Sequence, residues 1–313
     1  MSTGTGRASG PPPPGRVAPG NGPVSRFLDT ASPEALFVLS ATAQYVGAVI
    51  AVGLFDEVAP RTVAWLRVVG AAAALTAVSH RRIRERWSRA ELGAAALFGI
   101  ATALMNLFFY LGIDRLPLGK GVAIEFIGPI TVAAVRTRTR RNAAALVLAA
   151  VGVGVLSGVE LDAEPLGLLF IFLASAMWAA YIVVGARVAR LDRGVAGLGI
   201  GLAIGALAIT PIGAPGSGPV WGSPRLLGAC LVVGVFSNAI GYGIDQHVLR
   251  RIPVRRFSVL LALLPVTATV VAFVALEQRP TALDLVGLVL VLGGVVLQER
   301  EKLVSETGGE PPA

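Results

Sequence analysis

Charge-free apolar runs of about 20 residues recur along most of the chain, with short polar connections between them. A hydrocarbon core of roughly 30 Å takes about 20 apolar residues to cross as a helix. The pattern therefore predicts an all-α polytopic membrane protein with ten transmembrane helices. Their bounds, good to a few residues, are 34–54, 62–79, 91–113, 117–135, 142–159, 165–186, 194–213, 225–249, 255–276 and 281–298.

The two ends of the chain depart from this pattern. Residues 1–32 are rich in Gly, Pro and Ser and hold no apolar run, which predicts a disordered tail. The first apolar run begins near Ala35 and is too long for the core of a cleavable signal peptide. We therefore interpret it as the first span, and residues 299–313 as a second tail.

The distribution of charge predicts how the helices are oriented. Only 15% of the 313 residues are charged and 54% are hydrophobic. Of the 27 Lys and Arg residues, 21 lie in the two tails and in every second loop, which predicts cytoplasmic termini and an inner (plasma) membrane location. The net charge of +8 resides in these loops, so no nucleic-acid partner is expected. The basic residues of the opposite loops are Arg61, Arg115, Lys120, Arg225 and Arg279.

Away from the first residues of the predicted spans, three charged residues stand out: Arg67, Glu125 and, near a cytoplasmic end, Asp245. A charge at a helix centre costs about 2.5–3.5 kcal/mol on insertion scales, so each is a candidate functional residue. Glu125 and Asp245 are predicted to couple transport to protons. Arg67 is predicted to bind a substrate carboxylate, because a guanidinium offers a planar pair of donors.

Glu125 and Arg67 also have structural interpretations. Glu125 fits a neutral carboxylic acid that is hydrogen-bonded between helices. Arg67 fits a counter-ion of Glu125, or a side chain that extends toward the membrane surface. The residues alone leave these alternatives open.

The two halves of the chain share a short pattern. Residues 116–131 align with residues 252–267 at one constant offset. In this alignment two prolines of the first segment match two prolines of the second, and one threonine matches one threonine. We predict two five-helix halves, 33–159 and 164–298, which must lie inverted in the membrane because five is odd. Inverted halves place a substrate site at their interface, and Pro129 and Pro265 are predicted helix breaks beside it.

Polar and aromatic residues inside the spans are the remaining site candidates. Any single one is more typical of helix packing, but together they suit a mixed amphipathic substrate cavity. The predicted substrate-binding set, with Arg67, comprises Gln44, Asn106, Tyr110, Trp178, Tyr181, Asn238 and Tyr242.

Enzyme chemistry and bound cofactors find little support in the sequence. The two histidines, His80 and His247, both lie beside basic loops, and Cys230 is the sole cysteine. A metal site is therefore not expected, and no segment resembles a dinucleotide or phosphate loop. A membrane-embedded enzyme is a remote alternative, and the residues themselves exclude a channel less strongly.

Several segments together carry a family resemblance. The segment PLGKGVAIEFIGP at 117–129 is the most specific of them. It is accompanied by AWLR at 64–67, MNLFFY at 105–110, MWAAY at 177–181 and the stretch 241–253. On these segments the chain resembles the EamA-type drug/metabolite transporter superfamily, and within it the threonine/homoserine exporter branch.

The resemblance implies a ten-helix carrier that exports small amino acids such as threonine or homoserine in exchange for protons. A multidrug or sugar-derivative exporter of the same superfamily is the alternative. Ten helices can enclose a pathway, so a monomer in the bilayer is sufficient, and a homodimer is left open. One departure bears on the substrate: Leu264 precedes Pro265 where many relatives have Glu, while Asp245 stands where the exporter branch commonly has Glu.

Overall fold

The structure is a computed structural model, and it describes residues 27, 30–136, 139–158, 164–188, 194–241, 244, 248, 260 and 263–307. These residues form helices and connecting turns, with no strand among them. The longer helices are α1 (Pro33–Val52), α2 (Pro60–Val78), α3 (Arg89–Ile113), α4 (Leu118–Glu125), α5 (Ile127–Arg136), α6 (Arg140–Gly158), α7 (Pro165–Val188), α8 (Gly194–Gly213), α9 (Pro224–Gly234), α10 (Leu263–Leu276) and α11 (Ala282–Thr307).

Helix starts follow familiar capping chemistry. Pro33 and Pro60 stand in the first turns of α1 and α2, where a missing N–H costs nothing and the fixed φ suits the helix. Ser88 begins α3 with a capping box: its hydroxyl accepts from the Glu91 N–H at 3.2 Å, and the Glu91 carboxylate accepts from the Ser88 N–H at 2.7 Å.

The fourth predicted span is interrupted. α4 ends at Glu125, and α5 begins at Ile127. Pro129 lies four residues beyond Glu125, so it has no N–H for the Glu125 carbonyl, and its ring would collide with that carbonyl in a regular helix. The chain therefore breaks at Phe126 and places Glu125 at a helix end.

Two further helices differ from their predicted spans. α9 passes into a π-helical turn at Val235–Ile240. α11 runs on to Thr307, past the predicted span and into the segment predicted as a tail. Glu, Arg, Lys and Leu dominate that extension, and these residues favour helix.

Close backbone contacts hold the helices together. A Cβ atom at Gly99 of α3 would collide with the Gly201 backbone of α8, and one at Gly234 with the Arg67 carbonyl of α2. α6 and α11 meet in the same way at Gly152 and Gly287. Small residues that allow such approach are typical of helix packing in membranes.

The outer face of the bundle is apolar. Large hydrophobic side chains are more than half exposed on several helices, an arrangement that fits lipid rather than water as the surrounding solvent. Five of the described helices are long and apolar enough to cross a membrane, and four shorter ones are apolar. Prominent exposed side chains are Val147, Leu207, Val270, Val274, Val286 and Val289.

Candidate functional site

Arg67 lies in the interior of α2 and is only 6% exposed. Its guanidinium donates two hydrogen bonds to the Asn238 side-chain oxygen, from Nε at 3.1 Å and from Nη2 at 2.9 Å. Asn238 is fully buried in the π-helical turn that follows α9. A buried charge needs such partners because water cannot solvate it, so this contact joins α2 to the second half of the chain.

Tyr110 completes the surroundings of the guanidinium. The Arg67 Cζ atom lies 4.9 Å from the centroid of the Tyr110 ring, a distance at which a cation is attracted to an aromatic face. The Tyr110 hydroxyl and the Asn238 Nδ2 atom are both buried and have no hydrogen-bond partner among the described residues. Unsatisfied buried polar atoms are rare and costly, which makes these two atoms candidates for contact with a bound molecule.

Glu125 lies at the helix break, 8% exposed, at the C-terminal end of α4. It is close enough to Arg67 for electrostatic attraction, yet no ion pair between them occurs within the described part of the chain. The Arg67 hydrogen bonds go to Asn238 instead. The site thus holds a guanidinium and a carboxyl group that lie near each other without forming an ion pair.

Known proteins resemble this chain in sequence over most of its length. The model of the EamA-like transporter family matches residues 165–298. The chain is 30% identical over 289 residues to the threonine/homoserine exporter RhtA of Salmonella typhimurium, which covers 90% of this chain and 97% of that exporter. It is 31% identical over 267 residues to RhtA of Escherichia coli strain K12, covering 83% and 90%.

The chain belongs to the EamA-like transporter family. This confirms the resemblance found in the sequence and makes the protein a multi-pass membrane transporter rather than an enzyme. A crystal structure at 17% identity, with a TM-score of 0.57, matches 88% of this chain and 99% of its own. That likeness shows that the two share a fold.

Gln44 of this EamA family member lies at a seam between α1 and the π-helical turn. Its side-chain amide donates to the Ser40 hydroxyl at 3.1 Å, and Ser40 donates to the Gly241 carbonyl at 2.9 Å. The Ser237 hydroxyl donates to the Gln44 carbonyl at 3.1 Å. These bonds tie the two halves of the transporter together beside Asn238, which directly follows Ser237.

The other predicted site residues contact neighbours outside the Arg67 cluster. Asn106 donates to the Thr102 carbonyl at 2.7 Å, within its own helix. Trp178 packs edge-on against Phe126, the residue at the helix break, with centroids 4.9 Å apart. Tyr181 contacts Phe98 at 4.7 Å.

Three predicted positions need separate mention. Tyr242 and Asp245 lie outside the described residues. Pro265 occupies the first turn of α10, and its carbonyl accepts a hydrogen bond from the Thr269 hydroxyl at 2.8 Å.

One ion pair between a buried lysine and a partly exposed aspartate was missed by sequence reasoning. Lys120, assigned to the loop charges, is buried in α4 with its Nζ atom 3.2 Å from Oδ1 of Asp284 in α11. That assignment is wrong, since the Lys120 side chain is buried. In the sequence Lys120 resembles a loop residue because it lies only two positions after the first residue of α4. The Thr281-x-x-Asp284 capping pattern marks the start of α11, but it gives no sign of the distant partner.

Proposed function

We propose that this transporter exports small hydroxylated amino acids, of the threonine and homoserine type, across the inner membrane in exchange for protons. The observation that carries the proposal is the buried cluster of Arg67, Asn238 and Tyr110, with two unpartnered polar atoms and the Glu125 carboxyl nearby. The kinship with the RhtA exporters supports the same substrate class.

The cluster suggests how such a substrate would be recognised. The α-carboxylate binds the Arg67 guanidinium, which is the preferred partner for a planar two-oxygen anion. The α-ammonium group is directed to Glu125, and the side-chain hydroxyl bonds to Tyr110 or to the Asn238 amide. Each group of the zwitterion thereby meets a complementary group of the site, which is how a few polar contacts fix a small ligand.

Proton coupling follows from the same placement. If the substrate ammonium and a proton compete for the Glu125 carboxylate, the two cannot be bound there together. Proton entry from outside then releases the substrate, and proton loss inside lets the next substrate bind. Competition for one carboxylate gives exchange without further machinery.

The finer architecture is part of the proposal. We infer ten transmembrane helices in two inverted five-helix halves, 33–159 and 164–298, with cytoplasmic tails at 1–32 and 299–313. The family match to residues 165–298 supports the boundary between the halves. The interruption at Phe126 lies beside the site, as expected for broken helices in transporters built from inverted repeats. One chain forms the pathway in this scheme.

Efflux measurements test the substrate class. Cells that lack their own amino-acid exporters are loaded with labelled threonine through a dipeptide, and release is followed with and without this protein. We expect faster release of threonine and homoserine, resistance to their toxic analogues, and no protection against lipophilic cations. Protection against lipophilic cations without amino-acid release would replace the proposal with multidrug export.

A further inference from the structure

A second polar junction lies at the other end of α4, away from Glu125. Here Lys120 and Asp284 form an ion pair of 3.2 Å, with side-chain exposures of 3% and 16%. Asp284 also accepts from the Thr281 N–H at 3.0 Å, so its carboxylate is held in place by the cap of α11. The pair connects a helix of the first half to a helix of the second half.

Two more contacts join the first turn of α4 to the second half. The Leu118 N–H, which has no partner within its own helix, donates to the Gln278 side-chain oxygen at 3.0 Å. A Cβ atom at Gly119 would lie 2.8 Å from the Thr269 hydroxyl oxygen, so the two backbones approach closely there. The exterior end of α4, as the loop charges orient it, is therefore clamped to α10 and α11.

The ion pair lies beside an open cleft and is not enclosed by packed side chains. A cleft of about 170 Å³ is lined by Lys120, Asp284, Gln278 and Thr269. A buried ion pair has little net stability, because the loss of hydration offsets the attraction of the two charges. Water that enters from the cleft can rehydrate both charges, so the pair separates more readily than the glycine contact of α6 with α11.

We propose that Lys120 and Asp284 form a latch that closes the exterior end of the pathway and opens once in each transport cycle. This inference rests on the proposed function, because only a carrier must open each side in turn. α4 would pass the movement on: Glu125 lies five residues after Lys120, about 7.5 Å along the helix. Opening of the latch thereby shifts Glu125 relative to Arg67.

Thiol labelling tests the latch independently of any substrate. Cys230 is replaced by Ala, and Thr269→Cys then reports access to the cleft for a membrane-impermeant maleimide. If the open state is populated to about 10% at rest, Asp284→Asn and Lys120→Met should each raise the labelling rate by up to roughly tenfold. Arg279→Gln, which removes a charge from the same cleft but not from the pair, should leave the rate unchanged. Equal labelling in all four proteins overturns the latch.

Cross-linking tests whether the latch must open for transport. Lys120→Cys and Asp284→Cys are combined in the Cys230→Ala background and joined by a short bis-methanethiosulfonate linker. Amino-acid export should stop on bridging and return after reduction, whereas either single cysteine treated alike should retain export. Undiminished export by the bridged protein refutes the latch. A wild-type protein that exports no amino acid refutes the proposed function instead, and the labelling result still decides the latch.

Discussion

Replacement of Arg67 by Lys removes one specific element of the site. The guanidinium makes two hydrogen bonds to Asn238 and, in the proposed site, offers its remaining donors to the substrate carboxylate. A Lys ammonium keeps the charge but loses the second parallel donor. One charge-assisted hydrogen bond contributes about 1.5–3 kcal/mol, so we expect the KM for threonine to rise between roughly tenfold and a hundredfold, since about 1.4 kcal/mol corresponds to a factor of ten.

Inside-out vesicles with an imposed proton gradient give the required initial rates. Threonine uptake is measured over a range of concentrations for wild type, Arg67→Lys and the control Arg61→Lys, at matched protein abundance. Arg61 lies in the same helix but is exposed, and it donates to the Pro215 carbonyl at 3.3 Å. A KM within twofold of wild type for Arg67→Lys would show that Arg67 is a structural counter-ion and not a substrate ligand.

Three other predictions concern coupling, topology and packing. Glu125→Gln keeps the size of the side chain but cannot ionise, so uptake driven by a pH gradient should vanish in vesicles, while Glu125→Asp retains part of it. A reporter active only outside the cytoplasm should give signal when fused after Glu57 and none when fused after Arg86, by alkaline phosphatase assay. Gly99→Leu should lower the amount of folded protein in the membrane, measured by immunoblot, because overpacking costs about 1–3 kcal/mol. Gly93→Ala is its control, since nothing lies within 4 Å of a Cβ there.

Each of these three predictions can be contradicted by a specific result. Gradient-driven uptake of normal size and pH dependence in Glu125→Gln would make that residue structural. Signal after Arg86 together with silence after Glu57 would reverse the topology. Wild-type abundance of Gly99→Leu would mean that the contact between α3 and α8 is looser than the backbone geometry requires.

The sequence predicts most helix bounds because lipid demands apolar residues on all sides of a spanning helix. The predicted bounds of α1 are 34–54, and the observed bounds are Pro33–Val52. For α3 the predicted bounds are 91–113, and the observed bounds are Arg89–Ile113. Arg67 and Glu125 could be singled out for the same reason, since a charge within an apolar run is visible without any structure.

The contacts between residues far apart in the chain could not be predicted from the sequence. Nothing in the linear pattern joins Arg67 to Asn238 across 171 positions, because any of several intramembrane amides could have accepted the guanidinium. Lys120 and Asp284 lie just inside helix starts, where a buried charge and a solvated loop charge look alike. Their burial depends on how α4 and α11 pack, and helix packing leaves no charge signature in the sequence.

The π-helical turn at Val235–Ile240 has an evolutionary consequence. Such a turn accommodates one residue more than a regular α-helical turn, and Asn238 sits within it. Deletion of a single residue from this turn would restore α-helical spacing there and change the direction in which the Asn238 side chain points relative to Arg67. Related chains can therefore come to transport different substrates by a change in the length of this helix, while every residue of the site keeps its identity.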